Sequence, residues 1–170
     1  TLTSGHSNTS VGSQSLQLNT TGDLNVAVGK DALRYFVAGN NTAVGADALQ
    51  GASGSSTGSN NTAVGKGALS ANTSGVNNSA LGTTALDANT TGAYNVAVGN
   101  NALGANTTGN YNVAVGNGSL TSATTSSSNT AVGHEVLVNA TAGDNTAVGR
   151  GAMNSNTTGY SNVAVGMYAL

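Results

Sequence analysis

Asn95-Val96-Ala97-Val98-Gly99-Asn100-Asn101-Ala102-Leu103-Gly104-Ala105-Asn106-Thr107-Thr108-Gly109 is followed, after Asn110 and Tyr111, by Asn112-Val113-Ala114-Val115-Gly116-Asn117-Gly118-Ser119-Leu120. The second run restates the first seventeen residues later, and this self-similarity governs the whole chain. The motif Asn-(Thr/Val)-Ala-Val-Gly recurs ten times, its glycine standing at Gly12, Gly29, Gly45, Gly65, Gly82, Gly99, Gly116, Gly133, Gly149 and Gly166. Nearly all spacings are 16 or 17 residues; the single spacing of 20 contains a Gly/Ser-rich stretch at 51–59, read as a surface insertion on one coil.

With each motif glycine as position 0, the columns ask for different physical explanations. Position −4 is Asn in every copy: Asn8, Asn25, Asn41, Asn61, Asn78, Asn95, Asn112, Asn129, Asn145 and Asn162. Position −1 is Val or, once, Leu81; position −2 is Ala except at Ser10; position +4 is Leu except at Met153. From −4 to −1 the chain alternates with period two, which predicts a short β-strand with Val and the Thr/Val column on one face and Ala and Asn on the other. Gly turns it, a second short segment at +3/+4 follows, and Asn-Thr-Thr-Gly at +7 to +10 supplies another turn. Helix is a poor alternative, because Gly and clustered Thr, Asn and Ser recur at intervals too short for an uninterrupted helix of normal length.

One 17-residue coil cannot bury its few apolar atoms, whereas stacked coils set Val on Val and Leu on Leu. The expected fold is all-β: a β-solenoid of about ten coils, occupying 1–170 as one repeat domain cut from a longer fibre. At ~4.8 Å per coil, nine steps give a rod about 43 Å long. Stacked amides of the Asn column would hydrogen-bond from coil to coil, making a structural ladder. Leu, Val and Phe make up 31 of 170 residues and Ile is absent, so the core is thin and calls for burial against partners. The small Ala face at −2 is the expected contact surface, and a trimer about a common axis the favoured assembly.

Charge narrows the function classes. Four basic and six acidic residues give a formal net charge of −2, too few cations to track phosphates, so nucleic acid is not an expected partner. No apolar stretch approaches the ~18 residues of a membrane span, and insertion of this segment into a membrane is not expected. The chain has no Cys, which removes disulfides and thiolate chemistry.

These repeats resemble the heads of trimeric autotransporter adhesins, whose Asn-Ser-Val-Ala-Ile-Gly signature is similar to Asn95–Gly99 and Asn112–Gly116. They also resemble Asn-Thr-Ala-Val-Gly…Ala-Leu…Asn-Thr-Thr-Gly arrays of bacteriophage tail fibres and large bacterial surface proteins. The resemblance implies a trimer of left-handed parallel β-rolls, extracellular or on a virion, serving as shaft or adhesive head. The adhesin repeat is shorter and rich in Ile, so the extra residues here enlarge a turn or alter the cross-section. No heptad pattern marks a coiled-coil stalk.

Candidate binding residues lie at the variable corner after the motif glycine: Lys30, Lys66, His134 and Arg150 at +1, Asp31, Asp47 and Glu135 at +2. Tyr94 and Tyr111 share position −5 in successive coils and would stack on the surface. Asp31 and Asp47 would stand about 5 Å apart, near the carboxylate separation of retaining glycosidases, but the pair occurs once and has no aromatic platform. His134-Glu135 lacks a third orienting group. No catalytic residue is therefore assigned, and with two His and no Asp-rich calcium repeat no metal or other cofactor is expected. Sequons such as those at Asn72, Asn89 and Asn139 matter only where the source glycosylates its fibres.

The expected function is a structural or adhesive segment of an extracellular trimeric fibre, a phage tail fibre or bacterial adhesin, with a host-surface receptor, glycan or matrix protein as partner. The competing reading is an ice-binding or other repetitive-surface-binding solenoid. Its Thr ladder would run along +8 through Thr20, Thr73, Thr90, Thr107, Thr124, Thr141 and Thr157, broken by Val37 and Ser53.

Overall fold

A computed structural model describes residues 5–54 and 56–170. Ten three-residue strands follow in order: β1 (Thr9–Val11), β2 (Val26–Val28), β3 (Thr42–Val44), β4 (Thr62–Val64), β5 (Ser79–Leu81), β6 (Val96–Val98), β7 (Val113–Val115), β8 (Thr130–Val132), β9 (Thr146–Val148) and β10 (Val163–Val165). They form a single parallel sheet in sequence order. Each strand thus ends one turn of a β-solenoid, and every pairing sets like position on like: Ala97 faces Ala114 and Val98 faces Val115 across β6 and β7. Register survives the coils of unusual length, since Val44 still pairs with Val64 across the 20-residue spacing.

The period-two alternation is present, but its sides are reversed from the expected ones. The Ala column at −2 is buried from Ala27 to Ala164, while the Val and Thr columns at −1 and −3 are exposed or half-buried. Inside each coil, Ala at −2 packs with Ala at +3 and Leu at +4, for example Ala97, Ala102 and Leu103. The Asn at −4 shares the inner face with Ala, and from Asn25 to Asn145 this column is buried. A coil this narrow has room for methyls on its strand side, so the branched residues point out. The Ala face is therefore core and is not available as a contact surface between copies.

The +3/+4 segment is a turn and not a second strand. The Leu/Met column at +4 takes φ of +45 to +65°, and position +2 takes +52 to +68°. Position −5 is likewise left-handed, at +55 to +62°, and the motif glycines lie at +123 to +140°. Left-handed backbone is costly for L-residues with a Cβ, so these corners persist because the fixed inward Leu and the hydrogen bonds to adjoining coils hold them. Leu103 N–H, for instance, donates to Ser119 O in the next coil at 3.0 Å.

The motif glycine is required twice over. A Cβ on Gly99 would lie 2.6 Å from Gly116 O, and its φ of +133° disfavours any side chain. The insertion is narrower than 51–59, residue 55 of which lies outside the described residues. Phe36 bridges to Ser56, which donates its N–H to Tyr35 O, so the chain has rejoined the coil at Ser56. Phe36, fully buried, fills the space beneath the detour.

Candidate functional site

The strand puts the candidate residues at two separate corners, because −5 precedes β1–β10 and +1/+2 follow them. At the +1/+2 corner, Asp31 is buried and accepts from Arg34 Nη1 at 3.1 Å, with Lys30 Nζ 3.1 Å from its other oxygen. Arg34 Nε also donates to Gln17 Oε1 of the preceding coil at 2.9 Å. Asp31 is thus held between two cations. Among the described residues Asp47 and Lys66 enter no ion pair. His134 Nδ1 lies 3.8 Å from Glu135 Oε2, both side chains being about half exposed, and the Arg150 guanidinium sits 5.7 Å from the Tyr168 ring centre.

At the other corner, Tyr94 and Tyr111 stack with centroids 5.1 Å apart and planes inclined by 7°. Their faces cover one another, so together they do not form a side-by-side aromatic floor. Among the described residues no group of three or more His, Cys, Asp or Glu gathers as a metal would require.

The Asn residues at −4 form the most regular polar feature. Each Oδ1 accepts the backbone N–H of the corresponding Asn one coil later, at 2.9 to 3.1 Å over all nine steps. In the regular coils Nδ2 donates across its own coil to the carbonyl at +10, as from Asn78 to Gly92 O at 2.8 Å. One amide thereby closes a coil and ties it to the next. Buried amides need such complete pairing, since an unpaired one costs about 1–3 kcal/mol.

A second buried ladder, built on residues whose pattern predicts only a turn, runs along +7. Asn89 Nδ2 donates to Asn72 Oδ1 and Asn106 Nδ2 to Asn89 Oδ1, both at 3.0 Å. It stops where +7 becomes Ala123, leaving Asn106 Oδ1 buried without a partner. The signal for this ladder was present in sequence, as the association of Asn at +7 with Gly at +10.

The Thr column at +8 is more continuous than its spacing suggested. The insertion shifts the register so that Thr57, not Ser53, stands over Thr73, whose O accepts from Thr57 N–H at 2.7 Å. Four of the hydroxyls are nonetheless engaged. Thr73, Thr90, Thr107 and Thr141 donate them to the +8 carbonyl of the next coil, at 2.7 to 3.0 Å.

Two surfaces remain unassigned by internal packing. One is the outer face of the sheet, where positions −3 and −1 present only Val, Leu, Thr and Ser over all ten strands. The other is a groove of about 460 Å³ over the +1/+2 corner of the later coils, lined by Asn100, Asn101, Asn117, Glu135, Val138 and Asn154 among others. No family model, curated protein or solved structure matches the chain. Among the described residues no helix is long and apolar enough to cross a membrane.

Proposed function

We propose that this chain is a structural and adhesive segment of an extracellular trimeric fibre, of a phage tail or a bacterial surface, in which the coils supply length and stiffness for host or surface attachment. The observation that carries the reading is the outer face of the sheet. Its two side-chain columns are about 7 Å apart and run about 43 Å, ~300 Å² between the column axes alone. Fourteen of its twenty positions are Val or Leu and none is charged. An apolar stripe of this size, with side chains adding to its width, reaches the range of about 300–600 Å² in which patches on soluble proteins become interaction surfaces. Three copies packing these stripes about a common axis would bury them, and the resemblance to adhesin heads and tail-fibre arrays supports the same arrangement.

The test is the mass of the fragment by light scattering with its far-ultraviolet circular dichroism. The expected mass is three times 16.3 kDa, and Val98→Lys with Val115→Lys should yield a folded monomer, since both side chains point away from the core. A wild-type chain that is folded and monomeric would overturn the trimer. Soluble fragment should also block attachment of the parent fibre to its host.

A second reading, binding to ice or another repetitive surface, draws support from the same face, where β3, β4, β8 and β9 repeat Thr-Ala-Val in an in-register array of methyls and hydroxyls. The +8 ladder supports it less, because four of its hydroxyls are engaged. Thermal hysteresis in the monomeric variant's parent would favour it, and a stable trimer without hysteresis would exclude it.

A further inference from the structure

The groove at the +1/+2 corner lies over a position whose side chain changes from coil to coil. Position +2 carries Asn101, Gly118, Glu135 and Gly151 in successive coils. Gly118 is a notch: a Cβ there would meet nothing closer than Thr121 Oγ1 at 3.4 Å and Glu135 Cγ at 3.6 Å. The φ of +64° at Gly118 favours glycine, yet Asn101 at +55° and Glu135 at +53° carry side chains in the same left-handed region of the adjoining coils.

The walls are polar and largely uncommitted. Asn117 Nδ2 leans on Asn100 Oδ1 at 3.2 Å, which leaves its own Oδ1 directed elsewhere. Among the described residues the Glu135 carboxylate has one charged neighbour, His134 at 3.8 Å. Among the described residues the Asn154 and Asn101 amides make no hydrogen bond, the Asn101 Oδ1 lying against Gly104. Val138 supplies an apolar patch beside them. Amides that donate and accept side by side match adjacent hydroxyls, a carboxylate accepts two of them, and an aliphatic patch suits the C–H face of a ring. The volume of about 460 Å³ lies within the ~300–1,000 Å³ of small-molecule sites.

We infer that this groove is a glycan subsite, taking an uncharged sugar residue with the Gly118 notch as its floor and Glu135, Asn101, Asn117 and Asn154 as its hydrogen-bonding walls. The lining offers no cation, so an acidic sugar would meet Glu135 without compensation. The site rests on the adhesive reading above and gives that reading a ligand class. It stands apart from the strand face that would join the copies, so assembly and sugar binding are separable.

The experiment is an NMR titration of the whole 170-residue chain with methyl glycosides of glucose, galactose, mannose and N-acetylglucosamine, alongside light scattering. Shift changes confined to Asn101, Asn117, Glu135, Val138 and Asn154 are expected for at least one glycoside. Gly118→Asn refills the notch with the residue its own column carries at Asn101, and should weaken that binding at least tenfold with unchanged mass and dichroism. Glu135→Gln should weaken it while leaving the fold intact. The subsite is overturned if no glycoside shifts these residues, if Gly118→Asn binds as well as the parent, or if calcium chloride alone produces the same shifts. A trimer that binds no sugar sinks the subsite alone, and a monomer that binds sugar sinks the trimer alone.

Discussion

The motif glycine meets two demands, and the two can be separated by position along the rod. Gly99→Ala introduces both backbone strain and a methyl 2.6 Å from Gly116 O, whereas at Gly166 the nearest atom to a new Cβ is Ala169 Cβ at 3.8 Å. Gly99→Ala should therefore destabilise the chain far more than Gly166→Ala, which should cost about 1–3 kcal/mol for the positive-φ backbone alone; thermal unfolding of the two variants checks this. Strain without a glycine is carried at +2 by Thr84, β-branched at φ +52°. Thr84→Asn should stabilise by about 1 kcal/mol, because Asn tolerates this region and Thr does not, and a rise in the urea midpoint would show it. Asp87 is a different residue-scale case, its carboxyl pushed up by burial against the opposing pull of backbone hydrogen bonds at Asp87 and Ala88. The folded state then holds this proton more tightly than the unfolded chain, so the contribution of Asp87 to stability falls as pH rises through the carboxylate range. Asp87→Asn should gain stability at pH 7 relative to the parent and lose that advantage at pH 3, read from unfolding curves at both.

At the scale of the turn, the buried +7 ladder links two positions that are neighbours only through the side chain. A Cβ on Gly109 would lie 2.2 Å from Ser126 O of the next coil and 2.4 Å from Asn106 Oδ1, so Asn at +7 adds to the need for Gly at +10, whereas Ala123 coexists with Ser126. Ala123→Asn alone should destabilise by colliding with Ser126. With Ser126→Gly added, the new amide can donate to the orphaned Asn106 Oδ1, and its own oxygen can accept from the glycine N–H as Asn19 does from Gly22 at 2.8 Å. A double-mutant cycle should give a favourable coupling of about 0.5–3 kcal/mol; additivity would refute the account. The same turn shows how far the sequence could be read. Repeat length, strand position, coil stacking and the Asn column at −4 were legible because each is a periodic property. The side of the strand that faces inward was not, because alternation defines two faces without naming them. Choosing Val for the core followed hydrophobicity, whereas the narrow coil selects by volume and admits Ala. The groove was only half legible: the variable corner pointed to Glu135, but Gly118 carries no chemistry of its own, and its effect depends on the neighbours one coil above and below.

For the molecule as a whole, nine nearly identical steps make a rod whose stability is a sum of coil and nearest-neighbour terms. Breaking one Asn at −4 in the middle, by Asn95→Ala, removes both the bond to Asn112 N–H and the closure onto Gly109 O. It should cost more than the same change at Asn162, whose Oδ1 has no following Asn, and hydrogen exchange should show opening spreading outward from coil six. Uniformity also poses a problem of address. If every strand fits every other, β6 could close onto β8 with one coil looped out, and little in the Asn or Ala columns would object. What distinguishes the correct neighbour is the set of exceptions: Phe36 seated under Ser56, Arg34 reaching back to Gln17, and Tyr94 fitted to Tyr111. Misassembly is the characteristic failure of repeat chains, and here the irregular coils act as page numbers in a book whose pages otherwise read alike.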